Sequence, residues 1–176
     1  MEEIDGVVSN QSFQMLVQWV CIGRVVFGEL PPEEAITTAI EFARLADMCG
    51  VTGMESLVAE HIKAIILANP APEDWKFYMG RHPDTNTHCL TSQHIISAVS
   101  LPEGHSVRRI LAAAAVEGYL RVDKCKFLKE TLEVPDFLVD LLKAVRVTLG
   151  SLGYEEYKIN FKDPISGNRL KLLKAQ

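Results

Sequence analysis

Four side chains that could hold a metal ion or act as a nucleophile lie close together in the sequence: His82, His88, Cys89 and His94. Imidazole nitrogens and thiolate sulfurs are ligands that zinc prefers, and a thiolate beside an imidazole can attack a carbonyl group. Zinc sites, however, pair their ligands at short and regular spacings, and the gaps between these four are irregular. We therefore interpret the histidines as residues that cap turns or face solvent, and keep a catalytic or metal site as the alternative.

No other catalytic pattern is present in the sequence. It contains no G-x-S-x-G, no phosphate-binding Walker loop, no G-x-G-x-x-G and no H-E-x-x-H. The basic pair Arg108 and Arg109 and the mixed run at residues 124–129 are typical of solvated helix faces. The sequence thus predicts a protein that is not an enzyme, with no catalytic residue, no metal ligand and no cofactor.

Composition and charge exclude several classes of protein. The 176 residues carry a net charge of −5, with 48% hydrophobic and 23% charged residues, which are ordinary globular values. No block of Lys and Arg is available to neutralise phosphates, so we expect no direct nucleic-acid contact. No apolar run approaches the roughly 20 residues of a membrane span, and the acidic N-terminus is unlike a signal peptide.

Cysteine usage points to a reducing compartment. Cys21, Cys49, Cys89 and Cys125 are scattered and form no C-x-x-C pair. In a chain of this size such cysteines are typical of reduced thiols that behave as small hydrophobic residues. A cytoplasmic or nuclear location is the resulting prediction.

The first 69 residues have the pattern of three helices. Apolar residues recur at helical spacing from Ser12 to Ile22, with Gly23 as the stop signal, and two apolar stripes indicate that this helix contacts apolar surface on two sides. The segment RVVF at residues 24–27 predicts a short strand. Pro32 opens a second helix, and a third runs to residue 69, so the two form a helical hairpin.

The remainder of the chain predicts a loop, further helices and a β-hairpin. Residues 70–91 are a polar loop or linker, although Trp75 within them could contact the core or a partner. Helical periodicity resumes over residues 92–153, where the last helix is expected to bury Leu142 and Leu149 and to expose Asp140. Turn chemistry at residues 163–168 separates two strand-like segments.

These elements predict a mainly α fold with a small β element formed by Arg24–Phe27 and the C-terminal hairpin. The predicted organisation is a helical region at 1–69, a loop or linker at 70–91, a second helical group at 92–153 and a hairpin tail at 154–176. A hairpin alone is marginally stable in water, so the tail requires further strands, from residues 7–8 and 24–27 or from the edge of a partner molecule.

Several of these segments resemble fungal BTB/POZ domain proteins. The segment FQMLVQWVCIG at residues 13–23 resembles a family helix that reads roughly F-x-x-[LF]-[VL]-x-W-[LIV]-Y-T-G. The segment FARLADMCGV at residues 42–51 and the helix at 54–66 are similar to the closing helices of that fold. The segment LPEGHSVRRIL at residues 101–111 resembles the helical extension that follows the fold in many fungal members. The resemblance covers roughly residues 12–150.

Two features depart from the family pattern. Cys21 and Ile22 replace the usual Tyr-Thr before Gly23, and the N-terminal half of the BTB fold has no counterpart before residue 12. We therefore expect the C-terminal hairpin to replace the missing strands by pairing with residues 7–8 or with residues 24–27.

The resemblance implies a protein-interaction module. BTB folds form dimers and recruit partners, among them cullin-type ubiquitin-ligase scaffolds and transcriptional regulators, and part of the cullin contact corresponds here to residues 23–34. A homodimer is expected not to use the usual N-terminal BTB interface. The candidate partner-binding residues are Gly23, Arg24, Phe27, Glu29, Glu33, Glu34 and Trp75.

Overall fold

The computed structural model describes residues 9–72, 84–121, 125–155 and 158–172, with the side chains of residues 155 and 158 excepted. Over these residues the chain is mainly helical with one small antiparallel sheet, which confirms the predicted fold class. None of the helices described is long and apolar enough to cross a lipid bilayer. The elements are α1 (Asn10–Ile22), α2 (Pro32–Met48), α3 (Glu55–Ala68), α4 (Ser92–Ala98), α5 (Ser106–Arg121), α6 (Leu128–Glu133), α7 (Pro135–Leu149), β1 (Gly153–Glu155), β2 (Lys158–Lys162) and β3 (Arg169–Lys171).

Capping residues determine where α1 begins and ends. The Ser9 side chain accepts a hydrogen bond from the Ser12 amide (3.2 Å), so the helix starts before the Ser12 that its periodicity indicated. Gly23 adopts a left-handed conformation (φ 65°) and donates its amide proton to the Trp19 carbonyl, which ends the helix. Serine and glycine thus fix the length of the first helix.

The two groups of helices share one hydrophobic core. Helix α2 packs against α1, α3 and α4, while α5 packs against α3 and α7. A single cluster of buried apolar side chains runs from Met15 in α1 to Val145 in α7. Of the predicted linker, the structure describes residues 84–91 at its end, and Cys89 and Leu90 in this segment are buried in the same cluster. The division into a region at 1–69 and a second group at 92–153 stays a prediction about domains.

A buried ion pair joins α5 to α7. The Arg108 guanidinium donates from Nε to Asp140 Oδ2 (2.7 Å), and both side chains are 5% exposed. Its Nη1 donates to the Leu101 carbonyl (3.0 Å). The prediction that Arg108 and Asp140 face water is therefore wrong, because each supplies the charge that the other needs in order to be buried.

This pairing also rotates α7 relative to the prediction. With Asp140 turned inward, Leu142 and Leu149 are exposed rather than buried. Phe137, Leu141 and Val145 provide the apolar contacts of this helix with the core. Hydrophobic periodicity gives no information about ion pairs, and this ion pair changes which face of the helix is buried.

The C-terminal hairpin is present and has a third strand. β2 pairs antiparallel with β1 on one side and with β3 on the other, with Phe161 opposite Leu170. The turn before β3 is held by Asp163, whose Oδ2 accepts hydrogen bonds from the amide and the hydroxyl of Ser166 (2.7 and 2.5 Å). The further strand that the hairpin requires is β1, which was not predicted.

The predicted strand at Arg24–Phe27 is wrong. This segment pairs with no strand of the described residues, and the predicted pairing of the hairpin with it does not occur. The Val26 amide instead donates to the side-chain oxygen of Gln18 (2.8 Å). Val25 and Val26 favour extended backbone, but a strand also needs a ladder partner. The alternative partner, residues 7–8, lies outside the described residues.

We predict that removing the buried carboxylate of Asp140 destabilises the protein strongly. Asp140→Ala leaves the buried Arg108 guanidinium with only the exposed Asp136 carboxylate, whose Oδ1 lies 3.6 Å from Arg108 Nη2. The expected loss in free energy of unfolding is about 3 kcal/mol. The control is Lys143→Ala on the same helix as Asp140, which breaks the exposed ion pair between Lys143 and Glu103 and is expected to change stability little, because solvent screens both charges. Urea denaturation of both variants measures the difference, and equal losses would contradict the assignment.

Candidate functional site

An apolar stripe on α1 is exposed to solvent. Phe13, Val17, Val20 and Cys21 follow the helical spacing i, i+4, i+7 and i+8, so they lie on one side of the helix. Phe13 is 55% exposed, Val17 44% and Val20 62%. We call these four residues the α1 outer face.

The outer face is exposed because α1 packs on one side only. Ser12, Met15 and Leu16 are buried, and the main helix contact of α1 is with α2. Trp19 anchors the same side, since its Nε1 donates to the Thr52 carbonyl (3.3 Å) before α3. A helix held from one side presents its opposite side to whatever approaches the molecule.

The outer face carries no charge. Helix α1 contains no Asp, Glu, Lys or Arg, although the whole chain has 18 basic and 23 acidic residues. The polar side chains beside the stripe are the amides of Asn10, Gln14 and Gln18. An exposed apolar stripe without charges has little to oppose its transfer from water into a protein contact.

The connection from α1 to α2 is fixed against the core. The Phe27 ring stacks on the His61 imidazole of α3, with ring centroids 3.6 Å apart and an interplanar angle of 13°. Burial lowers the pKa of His61, which favours the neutral ring in this stack. Together with the hydrogen bond from Val26 to Gln18, the stack gives this connection a defined path.

Most of the predicted partner-binding residues lie along this connection and at the start of α2. Gly23, Arg24 and Glu29 are exposed, as are Glu33 and Glu34 in the first turn of α2. Phe27 is half-buried against His61, which leaves less of its ring for a partner. Trp75 lies outside the described residues.

The exposure of Phe13, Val17 and Val20 was not predicted. Their spacing is that of a core stripe, and the periodicity of the sequence does not distinguish it from the stripe that contains Met15 and Trp19. Two signals were available: the helix has apolar residues on two sides, and it lacks charges. Both signals indicate that α1 contacts a second apolar surface, from this chain or from another.

His94 has a structural role at the start of α4. Its Nδ1 accepts the Thr91 amide proton (3.1 Å), so the other nitrogen carries the ring proton. That nitrogen, Nε2, lies 3.1 Å from the Glu33 carbonyl oxygen and 2.9 Å from Thr37 Oγ1. Burial lowers the pKa of His94, which keeps the ring neutral. The histidine therefore joins the start of α4 to α2.

The other candidate ligands do not assemble around His94. Cys89 is buried, and burial raises the pKa of its thiol, whereas a nucleophilic cysteine needs a lowered one. His88 is exposed, and His82 lies outside the described residues. No three metal-ligating side chains of the described chain come together in a geometry that could hold a metal ion.

An acidic cleft of about 290 Å³ lies between α3, α5 and the turn before β3. Its buried acids are paired within the protein. Glu117 accepts the Thr85 amide proton (3.2 Å) and pairs with Arg121 (2.5 Å). Asp163 Oδ1 accepts a hydrogen bond from the side-chain amide of Asn86 (3.0 Å), which attaches the sheet to the helical core. These contacts give the carboxylates of Glu117 and Asp163 a structural role.

Asp84 lies beside this cleft against Gly118. A side chain at Gly118 would collide with the Asp84 carboxylate, which explains the glycine within α5. Desolvation by burial, aided by the charge of Glu117, raises the pKa of Asp84 to about 7, and its Oδ1 accepts no hydrogen bond. The carboxyl group is thus partly protonated near neutral pH.

A comparison of the chain with protein-family models, with curated proteins and with solved structures gives no match. The BTB/POZ resemblance accordingly stays a hypothesis that depends on the sequence segments alone.

We predict a pH-dependent effect of His94→Gln. Because the folded-state pKa of His94 is lowered, its contribution is complete above the unfolded value of about 6.5 and is lost as the pH falls through the folded value. The variant is expected to be less stable than the wild type by about 1–3 kcal/mol at pH 8, and by less at pH 5. Urea midpoints across this range measure the gap. Exposed His88→Gln is the control, and a gap that is constant with pH would contradict the account.

We predict the opposite trend for Asp84→Asn. A raised folded-state pKa means that the wild type loses stability as the pH rises from about 4, the unfolded value, to about 7. The neutral variant avoids this loss, so its advantage grows over that window to about 2–4 kcal/mol and is constant above it. Thermal or urea unfolding at pH 4, 6 and 8 tests this, with exposed Asp47→Asn as the control. A fixed difference at all three values would refute the assignment.

Proposed function

We propose that this chain is a non-enzymatic protein-protein interaction module, similar to BTB/POZ adaptors, that assembles a regulatory or ubiquitin-ligase-type complex. One observation carries the proposal: the α1 outer face, which is apolar, uncharged and exposed on a helix anchored from behind by α2.

The energetics of the outer face favour a protein contact. Its side chains expose on the order of 300 Å² of apolar surface, a size at which patches on monomeric proteins are often functional. Burying that area would contribute several kcal/mol before the costs of association are subtracted. An aromatic anchor, here Phe13 at 55% exposure, is also typical of the residues that dominate binding energy.

The resemblance supplies the class of partner. Cullin-type scaffolds and transcriptional regulators are the partners that it implies, and the expected contact segment, residues 23–34, follows α1 directly. Exposed Arg24, Glu29, Glu33 and Glu34 would provide the polar rim of such an interface. The net charge of −5 supports protein partners rather than nucleic acid, and a cytoplasmic or nuclear location is consistent with four free cysteines.

The alternative function has less support. A small enzyme or a metal-binding protein would use His82, His88, Cys89 or His94. Both ring nitrogens of His94 are engaged by the fold, and burial raises the pKa of the Cys89 thiol. The hypothesis of an interaction module, in contrast, depends on a surface that is exposed, the α1 outer face.

The test compares the proteins that bind to wild type and to outer-face variants. Val17→Asp and Val20→Asp each place a charge in the stripe, and desolvating that charge is expected to reduce partner recovery at least tenfold. Tagged chains are cross-linked in cells, purified and quantified by mass spectrometry. Partners found in this way are then measured with purified components, with cullin N-terminal domains included.

The matched control is Val147→Asp, because Val147 is also an exposed valine (77%) on a helix but lies on α7. Circular dichroism and thermal melts verify that all variants remain folded. If every protein recovered with the wild type is recovered equally with Val17→Asp and Val20→Asp, the proposed function is wrong.

A further inference from the structure

We propose that the occupant of the α1 outer face is a second copy of this chain. Two α1 helices pack antiparallel about a two-fold axis near Val17, which is the middle of the stripe from Phe13 to Cys21. The inference deepens the proposed function and depends on it, since it names a partner for the same surface.

Charge is the first argument for a second copy. In a two-fold interface each residue type meets the same patch on the other molecule, so any net charge on the patch repels itself. The chain as a whole is acidic, with 23 acidic against 18 basic residues, yet α1 has none of either. The outer face is thus a surface on which an acidic molecule can meet its own copy without bringing like charges into contact.

The amides beside the stripe supply the second argument. Asn10 and Gln14 are exposed on one flank of the stripe, and each amide has both donors and an acceptor. A two-fold axis perpendicular to the helix pair places this flank of one copy beside the same flank of the other. Amides can pair with their own copies, whereas a flank of carboxylates or ammonium groups cannot.

Helix geometry supplies the third argument. Antiparallel packing about Val17 places Phe13 of one copy opposite Cys21 of the other, so the large ring meets a small side chain at both ends. The two helix dipoles then oppose each other, which is favourable. The neighbouring α2 and Trp19 hold each α1 in place, so little order has to be gained on association.

The available area predicts a reversible dimer. The stripe and its amide flank offer roughly 500–600 Å² per copy, and the two copies together would bury about 1,000–1,200 Å², the lower end of specific interfaces. We therefore expect a dissociation constant on the order of micromolar. Because no charges meet at the interface, salt is expected to act only by screening the repulsion between two copies of net charge −5, so the dimer strengthens rather than weakens as salt is added.

The experiment is sedimentation equilibrium of the full chain over about 1–200 µM, which brackets a micromolar constant. A reductant is present so that exposed Cys21 and Cys49 form no disulfide. Wild type is expected to convert from monomer to dimer over this range. Val17→Asp is expected to weaken the dimer at least about 100-fold, because two uncompensated charges would be buried at the axis. Val147→Asp, the matched control, is expected to dimerise like the wild type.

A mixing experiment tests the position of the axis. Val17→Lys alone is also expected to be monomeric, whereas an equimolar mixture with Val17→Asp is expected to form a heterodimer within about tenfold of wild-type affinity. Only a pairing that places residue 17 beside its own copy predicts this recovery.

Two results would overturn the second-copy proposal. One is a wild type that stays monomeric to the highest concentration, and the other is a dimer that Val17→Asp leaves intact. If in addition the outer-face variants lose partner proteins in the binding test above, the proposed function stands and only the identity of the occupant is wrong. If they lose none, both proposals fall.

Discussion

The buried guanidinium of Arg108 is the constraint on which the second half of the structure depends. A charge at 5% exposure must be paired, and Asp140 together with the Leu101 carbonyl pairs it. The ion pair fixes the rotation of α7 against α5, and α5 in turn packs on α3. The Arg108 side chain therefore helps to position α7 against α5, and through α5 against the helical hairpin of α2 and α3.

Other polar contacts extend the same principle to the rest of the fold. His94 joins the start of α4 to α2 through the Glu33 carbonyl, and Asp163 attaches the sheet to the core through the side-chain amide of Asn86. Phe27 stacks on His61 and fixes the connection after α1. These contacts hold the described elements together and leave the α1 outer face exposed.

Local signals in the sequence were sufficient for the helices and for the hairpin. Gly23 marks the end of α1, and Pro32 the start of α2, through their own backbone preferences, and the Asp163 turn is built from its own side chain. The pairing of Arg108 with Asp140 could not be predicted, because it joins residues far apart in sequence and contradicts the polarity pattern of α7. The two stripes of α1 are equally apolar, so only the position of α2 decides that Met15 is buried and Phe13 exposed. The prediction of residues 23–34 as a contact segment stays a prediction, whereas the exposure of the adjoining helix face is evident only from the packing of α1.

The chain contains its own probe for a second copy on the α1 outer face. Cys21 lies within that face, whereas Cys49, which is also exposed, lies at the end of α2. The decisive measurement is the rate at which a maleimide labels each thiol in the reduced chain as protein concentration rises. Labelling of Cys21 is expected to slow several-fold through the micromolar range, while labelling of Cys49 is expected to stay unchanged. A labelling rate of Cys21 that does not change with protein concentration would contradict the second-copy proposal.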